Sequence, residues 1–243
     1  MAAAALSHPA VLYTAGGWCF FVAENAVLSE NRAWFIERVG ERAYRGCYGL
    51  CSTASLASVG YGVWRHGPGP RLRAGVGGLS RVAGVAFQTL GLVGFANLAP
   101  PLTNPLAPDA TGCPLDFKKA RSDRERGDVH GLQRITRHPQ FWAMGFCGLG
   151  VAAQTPFAGT AAAALGFPLV AALGGFHMDS RHRRGVGGSL TPEREAATSG
   201  MPFLALVEGR QSWTALAEDL KPVNSAVAAA ASGALAVWVA LVT

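Results

Sequence analysis

Six long apolar runs alternate with polar segments along the chain. They cover roughly residues 9–28, 43–64, 82–103, 139–155, 157–177 and 224–243. A helix crosses a hydrocarbon core of about 30 Å with about 20 mostly apolar residues, and most of the runs reach that length. The pattern predicts an all-α fold, a polytopic integral membrane helical bundle with about six transmembrane helices. We expect residues 1–243 to form a single membrane domain.

Composition agrees with a membrane protein. Half of the 243 residues are hydrophobic and only 15% are charged, whereas soluble domains carry about 25% charged residues. The alternative is a large soluble all-α protein, but its buried helices would rarely run to about 20 apolar residues without a charge. The first ten residues have no basic segment, so we expect no secretory signal.

Positive charge is unevenly distributed between the loops. Seventeen of the 21 Lys and Arg residues lie in 29–45, 104–138 and 178–223, which six spans would place on one side of the membrane. The positive-inside tendency assigns that side to the cytoplasm or the stroma and both termini to the opposite compartment. The basic residues are interleaved with acidic ones in DFKKARSDRERGD, so we expect no nucleic-acid partner.

Four polar clusters lie on the basic side: GERAYR (40–45), RITRHPQ (134–140), HMDSRHRR (177–184) and MPFLALVEGRQSW (201–213). Each could consist of arginines that reach for lipid headgroups at the ends of spans. Together they could form one site, because Arg can grip an anionic group such as a lipid head, a haem propionate or a nucleotide-like cofactor. The candidate site residues are Arg134, Arg137, His138, Asp179, Arg181, Glu208 and Arg210.

Several polar side chains fall inside the apolar runs. Glu24 is an ionisable group near membrane depth, where such groups are usually functional. Gln88 and Asn97 are of the type that joins membrane helices by hydrogen bonds. Cys47 and Cys51 share a helix face but have no further ligands nearby in the sequence, so we expect no metal site.

The clusters GERAYR, RITRHPQ, the Asp179 region and PFLALVEGRQ, in this order, resemble the NnrU family of membrane proteins over roughly residues 18–214. That family includes the plant and algal 15-cis-ζ-carotene isomerases of carotenoid biosynthesis. The resemblance implies a multi-span helical bundle. In the isomerases it implies haem b between two axial histidines, with the iron assisting rotation about the central double bond of a linear carotene and no net redox change. It favours a plastid membrane, thylakoid or envelope, with a bacterial inner membrane as the alternative.

The positions that match the axial histidines differ in this chain. Counting back from Gly40 places the first at Asn25, and counting back from Asp179 places the second at Val170 or Ala171. None of these side chains is a usual haem ligand. His138 and His177 are the substitute candidates for cofactor binding. We therefore expect no cofactor, or haem b if the isomerase function is retained.

The sequence thus leaves three functions open. The first is a diverged, haem-less relative that acts as an accessory or structural subunit of a membrane complex. The second is a haem b-dependent carotenoid cis–trans isomerase, the activity expected if the chain is an enzyme. The third is a membrane methyltransferase-like protein, because Arg-His-Pro also opens a helix near the S-adenosylmethionine site of such enzymes. The expected partners are membrane lipids, other subunits, and pigments such as carotenoid or chlorophyll.

Overall fold

The computed structural model describes residues 5–102 and 129–242, with side chains up to residue 237. Its helices are α1 (Pro9–Glu30), α2 (Arg32–Val39), α3 (Glu41–His66), α4 (Gly78–Leu98), α5 (Pro139–Gln154), α6 (Ala158–Arg183), α7 (Pro192–Ala197), α8 (Leu204–Val207), α9 (Trp213–Asp219) and α10 (Pro222–Val242), with a 3-10 turn at Gly131–Arg134. An isolated bridge pairs Arg71 with Phe157. The all-α prediction is confirmed. The segment DFKKARSDRERGD lies outside the described residues.

Each predicted run forms one long helix, and the main difference is at the end of the fifth. That run was expected to end near residue 177, whereas α6 continues to Arg183. Asp179 and Arg181 therefore lie on the last helical turns and not in a loop. Local signals explain other boundaries. Pro139 occupies the first position of α5, and Gly40 separates α2 from α3 with a φ of 82°.

Among the described residues, fewer than six helices have by themselves the length and apolar composition of a membrane span. Three helices, α1, α4 and α6, are long and apolar enough to cross a membrane. The pair α9–α10, bent by 88°, counts as a fourth if it is one broken span. At 16 residues α5 is shorter than the usual span, and α3 carries four Arg and Glu residues. The chain is thus an all-α membrane protein, and six spans is an approximate count.

The six long helices pack side by side in the order α3, α1, α6, α5, α4, α10. The contacts show that α5 runs antiparallel to both of its neighbours. Gly150 lies near Gly84 at one end of the α4–α5 pair, and Ala143 lies near Gly94 further along. We call the end of the bundle that holds Asp179 the basic end. The other end, where Leu72 N donates to Pro156 O at 2.8 Å, we call the hairpin end.

Small and polar residues let the helices approach closely. A Cβ added at Gly17 would lie 2.7 Å from Ser55 O, and one added at Gly150 would lie 2.8 Å from Gly84 O. Trp18 on α1 lies directly against Gly166 of α6 and donates to Ala163 O at 3.1 Å. Gln88 and Asn97 form interhelical hydrogen bonds, as expected, with Gln154 (3.1 Å) and Ser225 (2.9 Å).

Candidate functional site

Three of the predicted site residues meet at the basic end, and we call them the Asp179 cluster: Arg137, His138 and Asp179. Arg137 donates to Asp179 Oδ2 from Nη2 at 2.6 Å and from Nε at 3.0 Å. His138 Nε2 donates to Asp179 Oδ1 at 2.8 Å. His138 and Asp179 are only 5% and 4% exposed. Both carboxylate oxygens are therefore used by protein donors, and the imidazole is shielded from solvent.

The local sequence explains this geometry. Because Pro139 begins α5, His138 takes the N-cap position and its ring turns toward α6. Gly175, one helical turn before Asp179, leaves room for that ring: an added Cβ would lie 2.9 Å from His138 Cδ2. The cluster thus joins the start of α5 to the end of α6. A buried carboxylate that is paired and fully hydrogen-bonded is well placed to hold two helices in register.

The segment 196–211 wraps around the cluster and binds it through backbone carbonyls. Arg137 N donates to Ser199 O at 2.8 Å, and Arg137 Nη1 donates to Thr198 O at 3.0 Å. Thr136 Oγ1 and Trp142 Nε1 both donate to Gly200 O at 2.9 Å. RITRHPQ and the segment before PFLALVEGRQ therefore form one hydrogen-bonded unit.

Glu208 and Arg210 lie at the outer edge of the same unit. Arg210 Nη1 donates to Thr198 O at 2.6 Å, the carbonyl that Arg137 also uses. Arg210 Nη2 pairs with Glu208 at 2.5 Å, where the Glu208 side chain is 45% exposed. Phe203 holds a left-handed backbone with a φ of 63°, and its N–H donates to Ile135 O at 2.9 Å. Such a conformation is uncommon outside glycine, so the surrounding contacts must fix it.

Arg134 has a neighbouring role. Its Nε donates to Asp219 Oδ2 at 2.7 Å, and its Nη1 donates to Gln211 Oε1 at 2.8 Å. Gly131 N donates to the same Asp219 oxygen at 2.8 Å. Arg134 thus fastens the 3-10 turn to α9, just before α10 begins.

The remaining predicted residues lie elsewhere. Arg181 does not bind Asp179, and its Nε is buried without a hydrogen-bond partner among the described residues. His177 Nε2 lies 2.7 Å from Ser29 Oγ on α1. In GERAYR, Glu41 pairs with Arg45 at 2.7 Å and with Arg32 at 3.2 Å, and Tyr44 donates to Leu28 O. These contacts join GERAYR to α1 and α2 and not to the Asp179 cluster.

A second polar group lies between α1 and α3. Glu24, 6% exposed, accepts hydrogen bonds at Oε1 from Ser52 Oγ at 2.6 Å and from Asn25 Nδ2 at 2.7 Å. Tyr48 OH donates to Asn25 Oδ1, and Asn25 Nδ2 also donates to Phe21 O. Glu24 Oε2 is buried without a partner in the described part of the chain. The group joins α1 to α3.

The residues at the positions counted to the axial histidines offer no usual haem ligand. Asn25 has both amide atoms engaged, and Val170 and Ala171 carry no donor atom. Ala171 is 1% exposed and lies against α5: a Cβ added at Gly145 would be 3.3 Å from the Ala171 Cβ. The substitutes are also engaged, since His138 Nε2 binds Asp179 and His177 Nε2 binds Ser29. In residues 5–102 and 129–242, no group of three or more His, Cys, Asp or Glu is placed to hold a metal ion.

Outside the cluster, an ion pair at the surface joins α7 to α6. Arg183 Nε donates to Glu195 Oε1 at 2.9 Å. This hydrogen bond holds the pKa of the Glu195 carboxyl below its ordinary value. Both side chains are exposed, so the pair adds little to stability.

The sequence did not single out several residues that complete the site. Thr198, Ser199 and Gly200 act mainly through backbone carbonyls, which no side-chain pattern reports. Gln211 lies in the quoted cluster 201–213, but nothing in its type showed that it would meet Arg134. Asp219 lies three residues before Pro222, near the start of the last apolar run, and this position was the only feature of the sequence that could have drawn attention to it.

The comparisons with known proteins agree with the quoted motifs. The family model described as NnrU protein matches residues 12–243, which is most of the chain. No curated protein and no solved structure matches the chain.

Proposed function

The chain belongs to the NnrU family, and from that premise we propose that it is a haem-free member that serves as an accessory or structural subunit of a membrane complex. The observation that carries the proposal is that the positions counted to the axial histidines hold Asn25 and Val170 or Ala171, which are not haem ligands. Asn25 is held by Tyr48 and Glu24, and Ala171 packs against α5. A protein without ligands at these positions has no means to hold the iron in the family's manner.

The Asp179 cluster supports the same proposal. Its carboxylate is saturated by Arg137 and His138, and the cluster is closed over by residues 198–200. A general acid or base must reach the proton that it transfers, and the His138 imidazole, 5% exposed with Nε2 bound to Asp179, is poorly placed for that role. The same closure leaves the methyltransferase alternative without support, because Arg137 and His138 are the residues it would need. The cluster acts as a structural tie.

The edge helix α3 supports a partner subunit. It packs mainly on α1 and at 26 residues is long enough to span, yet it is less apolar than α1, α4 and α6 and carries four Arg and Glu residues. Its outward face carries Gly46, Gly49 and Gly60, where an added Cβ would meet nothing within 4 Å. A helix with small outward residues suits contact with another transmembrane helix better than contact with lipid.

The first experiment measures haem directly. The full-length protein is purified in mild detergent, and its absorption spectrum and pyridine haemochrome are recorded beside a known haem b protein. We expect no Soret band at any stoichiometry, with the protein folded by circular dichroism. A band of about one haem per chain would overturn the haem-free proposal, and variants of His138 and His177 would then identify the ligand.

The second experiment measures assembly. Native membranes are solubilised gently and separated on native gels, and we expect the protein in a complex much larger than its 25.2 kDa mass. Gly49→Trp should release it from the complex while the purified protein keeps its helical content. Gly233→Trp is the matched control, because Gly233 on α10 also has nothing within 4 Å. Migration as a free subunit in wild-type membranes would contradict the accessory role.

The location that we propose is a plastid membrane, thylakoid or envelope, with the basic end toward the stroma. The alternative is a bacterial inner membrane with the basic end toward the cytoplasm. The orientation is supported by the sequence, because seventeen of the 21 Lys and Arg residues lie in 29–45, 104–138 and 178–223, which six spans would place on one side. The plastid is supported only by the resemblance to the plant and algal isomerases. Cell fractionation followed by detection of the protein in each membrane tests the location, and recovery in another membrane would contradict it.

A second candidate function is binding of a linear pigment, with or without isomerisation. An apolar groove of about 400 Å³ runs between the helices, lined by α3, α4, α5 and α6 and including Met144, Cys147 and Phe167. Its shape and lining favour a hydrocarbon ligand over a polar one. Chromatography of the solvent extract from the purified protein tests this, and the result expected is a carotenoid in stoichiometric amount. An extract without pigment would remove the candidate.

A further inference from the structure

A cavity at the hairpin end of the bundle combines two arginines with an apolar wall. Its volume is about 930 Å³, and it lies between the loop 71–76, α4 and the turn that joins α5 to α6. Arg71 and Arg81 line it beside Phe157, while Val82, Val85 and Ala236 supply part of the apolar wall. This end is far along α4 and α6 from the Asp179 cluster, so the cavity belongs to neither polar group described above.

Within residues 5–102 and 129–237, the two arginines have no acidic partner. Residues 42–108, 139–178 and 220–243 contain no Asp or Glu, and these stretches supply every described element at the hairpin end apart from the acid-free start of α1. The Arg71 guanidinium stacks over the Phe157 ring at 5.5 Å. Neither the Arg71 nor the Arg81 guanidinium makes a hydrogen bond or an ion pair to another described residue; the backbone N–H of Arg81 donates to Gly77 O. Two guanidinium groups that line one cavity without a counter-charge are suited to bind an anion.

Arg73, between them in sequence, differs because its guanidinium is hydrogen-bonded to the protein. Its Nη2 donates to Ala153 O at 2.6 Å and to Thr155 O at 2.8 Å. These are carbonyls at the C-terminus of α5, which favour a cation. Arg73 is therefore engaged by the protein, and it is excluded from the site.

The apolar wall decides which anion fits. Val82 and Val85 continue along α4 from Arg81 toward the membrane interior, and Ala236 faces them from α10. A small soluble anion would satisfy the arginines but leave this wall uncovered. A phospholipid satisfies both parts, because its phosphate lies at headgroup depth and its acyl chain lies in the hydrocarbon region.

We propose that Arg71 and Arg81 bind the phosphate of a membrane phospholipid whose acyl chain lies in this cavity against α4 and α10. The inference is independent of whether the protein is a subunit or a pigment binder. The lipid would supply a negative charge to the Arg71 and Arg81 guanidinium groups and fill the space between the loop 71–76 and the helices.

The test is retention and rebinding of lipid by the full-length protein in mild detergent. Native mass spectrometry counts bound phosphatidylglycerol for the wild type and for Arg71→Gln/Arg81→Gln. We expect the double variant to bind about tenfold more weakly, as when charge-assisted contacts are lost. Arg65→Gln is the matched control, because Arg65 is an exposed arginine at the same end that does not line the cavity. It should bind like the wild type.

A second variant and a soluble probe separate the outcomes. Ala86→Trp fills the cavity without a change of charge, and it should reduce lipid binding even if the double variant does not fold. Inorganic phosphate, added instead of lipid, should not raise the melting temperature of the wild type. The proposal is overturned by equal lipid binding in both cavity variants, or by stabilisation of the wild type by phosphate alone, which would indicate a soluble anion.

Discussion

Asp179 is the residue on which the basic end most depends. Replacing it with Asn removes the charge that Arg137 needs and weakens the acceptor of His138, in a site where both are buried. Breaking a buried ion pair on one side costs about 3–5 kcal/mol. We therefore expect Asp179→Asn to lower the free energy of unfolding by about that amount, measured by denaturant unfolding in detergent.

The comparison variant is Glu208→Gln, which breaks the exposed pair with Arg210. Exposed pairs contribute about 0–1 kcal/mol, so this change should be small. Equal effects of the two variants would contradict the structural role assigned to the Asp179 cluster. Loss of an activity without loss of stability in Asp179→Asn would instead point to chemistry at this site.

Glu24 offers a second test at the level of a single side chain. Glu24→Gln keeps the oxygen that accepts from Ser52 and Asn25, whereas Glu24→Leu removes both hydrogen bonds. A buried donor left without an acceptor costs about 1–3 kcal/mol. We expect Glu24→Gln to be tolerated and Glu24→Leu to melt at a lower temperature in thermal denaturation. A severe effect of the Gln variant would show that the carboxyl group itself is required.

The sequence identified the residues that act in the Asp179 site through their side chains better than those that act through backbone carbonyls. Arg137, His138 and Asp179 were predicted as candidates because charged groups beside an apolar run need an explanation. The sequence could not show that Asp179 is shared by the other two, since that depends on the distance between α5 and α6. Thr198 and Gly200 were missed because their contribution is a carbonyl oxygen, which every residue has.

At the level of elements, the tight contact between α4 and α5 is open to a direct test. Gly150→Ala places a methyl group 2.8 Å from Gly84 O and from Gln88 N. Overpacking of this kind typically costs about 1–3 kcal/mol, and we expect that loss in the free energy of unfolding. Gly49→Ala, where nothing lies within 4 Å, should be neutral or slightly stabilising. Equal stability of the two variants would show that α4 and α5 are not in close contact.

The positions of the long helices were predictable because the length of each apolar run can be counted in the sequence. Each of the six runs became a helix, and Pro139 and Gly40 marked the starts of α5 and α3. The order of the helices in the row was not predictable, because it depends on which faces pack together. Small residues show that a close neighbour exists, but Gly166 does not reveal that its neighbour is Trp18.

For the whole molecule, the open point is whether the short helix α5 crosses the membrane on its own. Its 16 residues fall short of a usual span, yet it runs antiparallel to α4 and α6, both of which qualify. If α4, α5 and α6 each cross, Gly78 at the start of α4 and Ser189 after α6 lie on opposite sides. If α5 does not cross, the two positions lie on the same side.

Cysteine labelling distinguishes these topologies. In a background with the native cysteines replaced, Gly78→Cys and Ser189→Cys are each exposed to a membrane-impermeant maleimide in sealed vesicles, before and after permeabilisation. We expect the two variants to label from opposite sides, because a buried α5 needs no full apolar length of its own when α4 and α6 cover it. Labelling of both from one side would mean that α5 is re-entrant. The start of α5 and the end of α6 would then lie on opposite sides of the membrane, so that result would contradict the Asp179 cluster, in which His138 and Arg137 bind Asp179.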